Sequence, residues 1–331
     1  MKETLNRLIN HEMLTKEDAK QILVNIAKGE YNTSQIAAFL TVYMMRSINI
    51  EELEGFRDAL LELCLAVDLS EYNPIDLCGT GGDGKDTFNI STLASFVTAG
   101  TGIKVTKHGN YGVSSKCGSS NVMEFLGIKF SNEADFLRKS IEEAGICVLH
   151  APLFHPAMKN VAPIRRELAV KTFFNMLGPM VNPAFPKNQM VGVFNLELAR
   201  MYGYLYQNTD KNFTVLHALD GYDEISLTGN TKTISNGTEG MLKPEDFGVE
   251  TIQAHEIVGG DDIAESAQIF MNVLNGKGTE AQNNVVCANA GIAIATVENI
   301  DVKDGFEKAK ESLLSGKALK ALKRLQELSK N

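Results

Sequence analysis

The chain has 331 residues, a formal net charge of −9 and 44% hydrophobic residues, which suits about two domains with a sizeable buried core. The acidic balance argues against general nucleic-acid binding, which rests on many Lys and Arg contacts to phosphate. No apolar run approaches the roughly 20 residues of a membrane span. Five cysteines, Cys64, Cys78, Cys117, Cys147 and Cys287, form no CxxC pair, so neither a disulfide framework nor a zinc site is expected. The polar amino terminus lacks a signal-peptide core, and the expected compartment is the cytoplasm.

The first part of the chain reads as helical. Thr15-Lys16-Glu17-Asp18 resembles a capping box before a helix over Ala19 to Ala27, Asn32 can cap a helix from Ser34 to Met45, and Asn49 precedes a helix through Leu53, Leu60, Leu61 and Leu65. Their apolar faces suggest packing on each other, or also on a second subunit; a purely internal bundle is the alternative.

Pro74-Ile75-Asp76-Leu77-Cys78 is a short apolar segment between turn formers, as expected of a buried strand. The loop that follows, Gly79-Thr80-Gly81-Gly82-Asp83-Gly84-Lys85-Asp86-Thr87, is rich in glycine. Such glycines allow close backbone approach, so successive N–H groups can converge on an anion. Ser91 or Asn89 can cap the next helix, through Leu93 to Val97, whose N-terminal amides then also face the loop. Lys85 is followed by Asp86, so the loop fits neither GxGxxG nor GxxxxGK[ST]. Ordinary dinucleotide and NTPase readings therefore drop.

A second strand, Ile103-Lys104-Val105-Thr106, leads into Lys107-His108-Gly109-Asn110-Tyr111-Gly112-Val113-Ser114-Ser115-Lys116-Cys117-Gly118-Ser119. Two such loops leaving parallel strands gather at the carboxyl edge of an open α/β sheet, where ligands bind. Lys107 is a point charge suited to phosphate, and Ser114, Ser115 and Ser119 are neutral donors. Any one of the serines alone reads as turn or cap chemistry.

Further strands are expected at Ile146 to Leu149, Gln189 to Val193 and Phe213 to His217, and helical periodicity at Ala162 to Pro179. Asp223-Glu224 stands between a β-type run ending at Leu219 and another beginning at Ile225. A carboxylate pair there could be a solvated turn, but beside a phosphate ligand it suits magnesium, a hard cation that joins one or two carboxylates to phosphate oxygens. Val302 to Leu328 reads as an amphipathic charged helix or pair on the surface.

Together, the loop Gly79 to Thr92, the loop Lys107 to Ser119, His155-Pro156-Ala157-Met158 with Arg165, the run Thr172-Phe173-Phe174-Asn175-Met176-Leu177-Gly178-Pro179, and Asp220-Gly221-Tyr222-Asp223-Glu224-Ile225-Ser226 resemble the anthranilate phosphoribosyltransferase family of tryptophan biosynthesis. The resemblance covers nearly the whole chain. It implies an α/β fold with a small N-terminal helical domain, residues 1–70 with about 162–185 returning to it. The larger domain, 71–161 and 186–331, has a mainly parallel central sheet of the nucleoside phosphorylase/phosphoribosyltransferase type and binds the donor. A cleft between the domains would hold the acceptor, and the helical domain would form a homodimer contact.

The resemblance also implies the substrates, 5-phosphoribosyl 1-diphosphate and anthranilate. For the donor it implies Gly79, Gly82, Asp83, Thr87, Asn89, Ile90, Ser91, Thr92, Lys107, His108, Gly109, Asn110, Tyr111, Gly112, Val113, Ser114, Ser115 and Ser119. For anthranilate it implies Gly79, His108, Asn110, His155, Met158, Arg165 and Gly178, with the Arg165 guanidinium suited to the carboxylate. Asp223 and Glu224 would hold Mg2+, with Ser91 at another ion and two ions per subunit. No catalytic residue is assigned: the aromatic amine is neutral near pH 7, so catalysis rests on positioning and electrostatics.

The chain departs from the family pattern at Tyr111 (an arginine in most members), Asn121 (an aspartate), Ala169 (a glycine) and Lys171 (an arginine). A pyrimidine-nucleoside phosphorylase shares the general architecture, but the acidic pair and the fit at His155 to Arg165 favour the transferase. A non-enzymatic nucleic-acid binder should show a basic groove.

Overall fold

The computed structural model describes residues 1–112 and 117–330. In chain order the helices and strands are α1 (Lys2–Ile9), α2 (Lys16–Ala27), α3 (Thr33–Met45), α4 (Ile50–Leu63), β1 (Ile75–Gly79), α5 (Ile90–Gly100), β2 (Val105–Gly109), α6 (Ser119–Phe125), α7 (Ala134–Ala144), β3 (Ile146–His150), α8 (Ala151–Phe154), α9 (Ala162–Leu168), α10 (Phe174–Leu177), β4 (Asn188–Gly192), α11 (Leu196–Gln207), β5 (Asn212–Ala218), β6 (Thr231–Ser235), β7 (Thr238–Leu242), α12 (Ile263–Leu274), α13 (Glu280–Glu298), α14 (Val302–Leu314) and α15 (Lys317–Ser329). They group into two compact units, Met1–Val67 with Ala151–Phe185, and Asp68–His150 with Pro186–Asn331.

The first unit is helical, and its helices start where the sequence offers caps. Thr15 Oγ1 accepts from the Asp18 N–H at 3.1 Å, and Asn32 with Gln35 and Asn49 with Glu52 form capping boxes. Glu52 is fully buried, and its oxygens accept from the Leu14 N–H and the Tyr43 hydroxyl at 3.0 Å, from the Asn49 N–H at 3.1 Å and from Arg46. A buried carboxylate so supplied is stable only as a complete network. Tyr43 also belongs to an aromatic cluster with Phe39, Phe56 and Phe173, in which Phe56 stacks on Phe173 at 4.4 Å. Residues 151–161, expected in the α/β part, join this unit. Asn160 Nδ2 donates to the Ala27 carbonyl at 2.9 Å and so fastens the segment to the end of α2.

The second unit holds one described seven-stranded sheet in the order β3-β2-β1-β4-β5-β6-β7. The first five strands are parallel, and β6 and β7 are antiparallel additions. The strand order reverses between β1 and β4, the switch point at which open α/β sheets bind ligands. Helix α5, buried along most of its length, packs with α13, α14 and α15 into the main core. The carboxyl-terminal helices are therefore more than a surface element: Phe306, Ala309, Leu313, Ala318, Leu322 and Leu325 lie in that core, and Ser312 Oγ donates to the Val97 carbonyl at 2.7 Å. Among the described residues no single helix is long and apolar enough to cross a membrane.

Candidate active site

Strand β1 ends at Gly79 and β4 at Gly192, and the two glycines are partners in the parallel register. Both leave room for Asp223. A Cβ on Gly79 would lie 2.3 Å from Asp223 Oδ2, and one on Gly192 would lie 1.5 Å from the Asp223 carbonyl oxygen. The chain carrying the acidic pair thus crosses directly over the switch point, on ground that only glycine can provide. Gly192 escaped the sequence reading, although a glycine closing a parallel strand beside Gly79 is the signal that could have found it.

The pair lies in the connection from β5 to β6, and no strand begins at Ile225 as the sequence led us to expect. Ile225-Ser226-Leu227 is apolar because it is buried, not because it is extended in a sheet. Asn289, fully buried in α13, accepts the Ile225 N–H at 3.0 Å and donates to its carbonyl at 2.8 Å. That clamp fixes the residue next to Glu224. A single asparagine within the run Val285-Val286-Cys287-Ala288-Asn289-Ala290 was its sequence signature, since a buried amide needs partners.

Asp223 Oδ2 accepts the Gly81 N–H at 2.6 Å. Glu224 Oε1 accepts the Ser91 N–H at 2.9 Å, and Oε2 accepts from the Thr87 hydroxyl at 3.3 Å. Glu224 therefore caps α5, a role the sequence assigned to Ser91 or Asn89. The Asn89 side chain makes no cap bond and donates to the Cys117 carbonyl at 3.1 Å, tying the first loop to the second. Asp83 Oδ1 accepts the Lys85 N–H at 3.1 Å, and its Oδ2 accepts the Asp223 N–H at 3.5 Å, which brings a third carboxylate beside the pair.

The charge at this point is poorly compensated. Burial, and then the neighbouring Asp83 carboxylate, push Asp223 above the ordinary carboxylate range. Burial followed by the Asp223 and Asp83 charges does the same to Glu224. Among the described residues no three His, Cys, Asp or Glu side chains are grouped to hold a metal by themselves. Two hard oxygen ligands under mutual repulsion fit a magnesium ion that takes its remaining ligands from water and phosphate.

Lys107 lies within β2 rather than in the loop after it. It is 2% exposed, and its Nζ donates to the Leu77 carbonyl at 2.8 Å. Burial pulls its pKa down, while Asp76, Cys78 and Glu224 lean the other way. His108 and Gly109 also belong to the strand, with the His108 N–H donating to Asp76 Oδ1 at 3.2 Å. Asn110, Tyr111 and Gly112 begin the exposed loop, where Asn110 Oδ1 accepts the Tyr111 N–H at 2.8 Å. The Tyr111 ring meets His150 edge-on at 4.7 Å, and its hydroxyl reaches Glu124 at 3.3 Å. Ser119 Oγ donates to the Asn110 carbonyl at 3.3 Å. Val113, Ser114 and Ser115 lie outside the described residues. The structure so brings Gly79, Gly82, Asp83, Thr87, Asn89, Ile90, Ser91, Thr92, Lys107 to Gly112 and Ser119 to one sheet edge with Asp223 and Glu224.

The remaining candidates belong to the helical unit. His155 is buried, and burial lowers its pKa to about 4, so the ring is neutral near pH 7. Met158 is half-buried one short turn later, its N–H donating to the His155 carbonyl at 3.0 Å. Arg165, on α9, lies 5.3 Å from the Phe174 ring centroid and donates to Asn175 Oδ1 at 3.2 Å. Among the described residues no carboxylate pairs with it, and burial lowers its pKa. Gly178 is exposed, with no atom within 4 Å of where a Cβ would stand.

Residues 71–319 match the glycosyl transferase family a/b domain, and residues 2–64 match the helical bundle domain of the same family. The anthranilate phosphoribosyltransferase of Flavobacterium psychrophilum is 77% identical over 99% of this chain and all of its own, and that of Flavobacterium johnsoniae is 74% identical over the same shares. The chain belongs to the anthranilate phosphoribosyltransferase family. The crystal structure of the family member from Thermus thermophilus superposes with a TM-score of 0.91 at 31% identity, covering 99% of each chain. The Saccharomyces cerevisiae member in complex with PRPP and Mg superposes at 0.90 with 28% identity, over 98% of this chain and 96% of that one. In this family setting the helical unit and the mainly parallel α/β unit have the architecture that the sequence implied.

Proposed function

We infer that the protein transfers the phosphoribosyl group of 5-phosphoribosyl 1-diphosphate to anthranilate, giving N-(5-phosphoribosyl)anthranilate and diphosphate, in tryptophan biosynthesis. The observation that carries this reading is the acidic pair seated at the switch point over Gly79 and Gly192, in a chain of that family. In the reaction the anomeric C–O bond to diphosphate breaks, positive charge builds on the sugar, a bond forms from the anthranilate nitrogen, and that nitrogen then releases one proton to solvent.

The Gly79 to Thr92 loop, at the α5 N-terminus, would receive the diphosphate beside the acidic pair, which itself holds the Gly81 and Ser91 N–H groups. Asp223 and Glu224 would hold magnesium, and the Ser91 hydroxyl would serve a second ion, giving two per subunit. When bound, the metal neutralises charge on the departing diphosphate. Lys107, buried under the same edge, adds a fixed positive charge. The acceptor amine is neutral near pH 7 and needs no strong base, so the residues of the chain orient and stabilise rather than shuttle protons. Arg165 takes the anthranilate carboxylate as its missing partner, and His155, Met158 and Gly178 belong to the same unit. A homodimer formed through the helical unit and a cytoplasmic location belong to the same reading.

Loss of anthranilate fluorescence on mixing protein, magnesium and donor tests it. Loss that requires all three components is the expected result. Donor binding without consumption of anthranilate would overturn the acceptor assignment and leave the donor site standing.

A further inference from the structure

The chain leaves β2 at Gly109 and re-enters as α6 at Ser119, and one side chain holds the two passages together at a neck. Asn121 Oδ1 accepts the Gly112 N–H and the Gly118 N–H, each at 3.0 Å. On the same neck the Ser120 N–H donates to the Asn110 carbonyl at 3.1 Å. The approach excludes side chains, for a Cβ on Gly118 would lie 2.1 Å from the Gly112 nitrogen, and one on Gly109 would lie 2.6 Å from Ser119 Oγ. The neck is also anchored to the first glycine loop, through the bond from Asn89 to the Cys117 carbonyl, two residues from the Ser91 amide that Glu224 holds.

Closing the start of α6 requires only the bond from Gly118. The bond from Gly112 does nothing for that helix, and its effect is to fix the incoming chain against the outgoing one. We propose that Asn121 is a positioning residue for phosphoribosyl transfer: its one carbonyl oxygen sets the spacing of the neck and, through Asn89, seats it against the loop that receives the diphosphate. This rests on the donor-site reading given above. Both bonds are accepted by oxygen, so Asn121→Asp retains them, whereas Asn121→Ala removes them together.

The test is steady-state kinetics of Asn121→Ala and Asn121→Asp, varying each substrate in turn, with melting temperatures and calorimetric titration by diphosphate and magnesium. Loss of two hydrogen bonds should raise the KM for the donor about tenfold in Asn121→Ala. The KM for anthranilate stays within about twofold, and Asn121→Asp returns the donor KM to within about threefold of the unsubstituted protein. Diphosphate affinity should follow the donor KM. An unchanged donor KM, an equal rise in both KM values, or an Asp variant no better than the Ala variant would overturn the proposal. A wild-type protein that fails to consume anthranilate would sink the transferase reading instead. The diphosphate titrations of the three proteins would then decide the role of the neck.

Discussion

The sheet edge and the helical unit carry opposite imbalances of charge. At the edge Asp83, Asp223 and Glu224 crowd together, and the pair is pushed toward protonation. In the helical unit Arg165 is a largely buried cation that rests on an aromatic ring and an amide and has no carboxylate partner among the described residues. One region holds more negative charge than its buried Lys107 offsets, and the other lacks an anion. Sites built this way are costly for an empty protein, because buried charge without a counterion is destabilising. On the reading proposed above, each region carries the charge opposite to that of its ligand: a metal with diphosphate for the first, a carboxylate for the second.

The largest effect is expected from the acidic side. Asp223→Asn and Glu224→Gln should each lower kcat by about a hundredfold or more, in the range seen when one electrostatic group is removed from a transition state, and each should weaken the dependence on magnesium. An unaltered magnesium titration in both variants would rule out the acidic pair as the metal's seat. Gly192→Ala probes the same side without touching a charge. Its Cβ would meet the Asp223 carbonyl oxygen, and forcing the backbone aside should cost about 1–3 kcal/mol of stability and misplace the pair. Turnover and chemical denaturation at normal levels would show that the crossing is less tight than the geometry requires.

On the cationic side, Arg165→Ala should raise the KM for anthranilate about tenfold, the scale of one charge-assisted hydrogen bond, and leave the donor KM nearly unchanged. Equal effects on both substrates would make the arginine a packing residue. The smallest effect is a pH dependence of stability. Asp223 and Glu224 have folded pKa values raised above the unfolded ones, so the folded chain holds their protons more tightly and stability falls as pH rises through the raised values. His155, with its depressed pKa, acts in the opposite sense and only under acid conditions, where stability is lost as pH falls. Between about pH 6 and about pH 9 the metal-free protein should therefore lose about 2–6 °C in melting temperature. Asp223→Asn should flatten the slope, and magnesium at the alkaline end should reverse it. A flat profile in the unsubstituted protein would show that the two carboxyl groups hold their protons no more tightly in the folded chain than in the unfolded one.

The sequence disclosed the two loops at the sheet edge well because glycine clusters and hydroxyl runs are local signals. Helix starts at Asn32 and Asn49 were legible for the same reason. What stayed hidden depends on contacts distant in the chain. The cap of α5 comes from Glu224, 133 positions away from Ser91, so Asn89 and Ser91, the local candidates, were the wrong ones. Lys107 looked like a loop residue because β2 runs on to Gly109 under glycine-rich sequence that favours turns. Ile225 looked like a strand start because burial by Asn289 and burial in a sheet select the same apolar residues. The carboxyl-terminal helices looked solvated because their charged faces outnumber the single apolar stripe that enters the core.

The paired glycines at the ends of β1 and β4 have a consequence for how such a site can change. Neither Gly79 nor Gly192 can accept even a methyl group without displacing Asp223. The floor of the site is therefore chemically blank and closed to adjustment by substitution. Any change at this site has to be introduced through the surrounding loops, while the ground beneath the acidic pair stays the same.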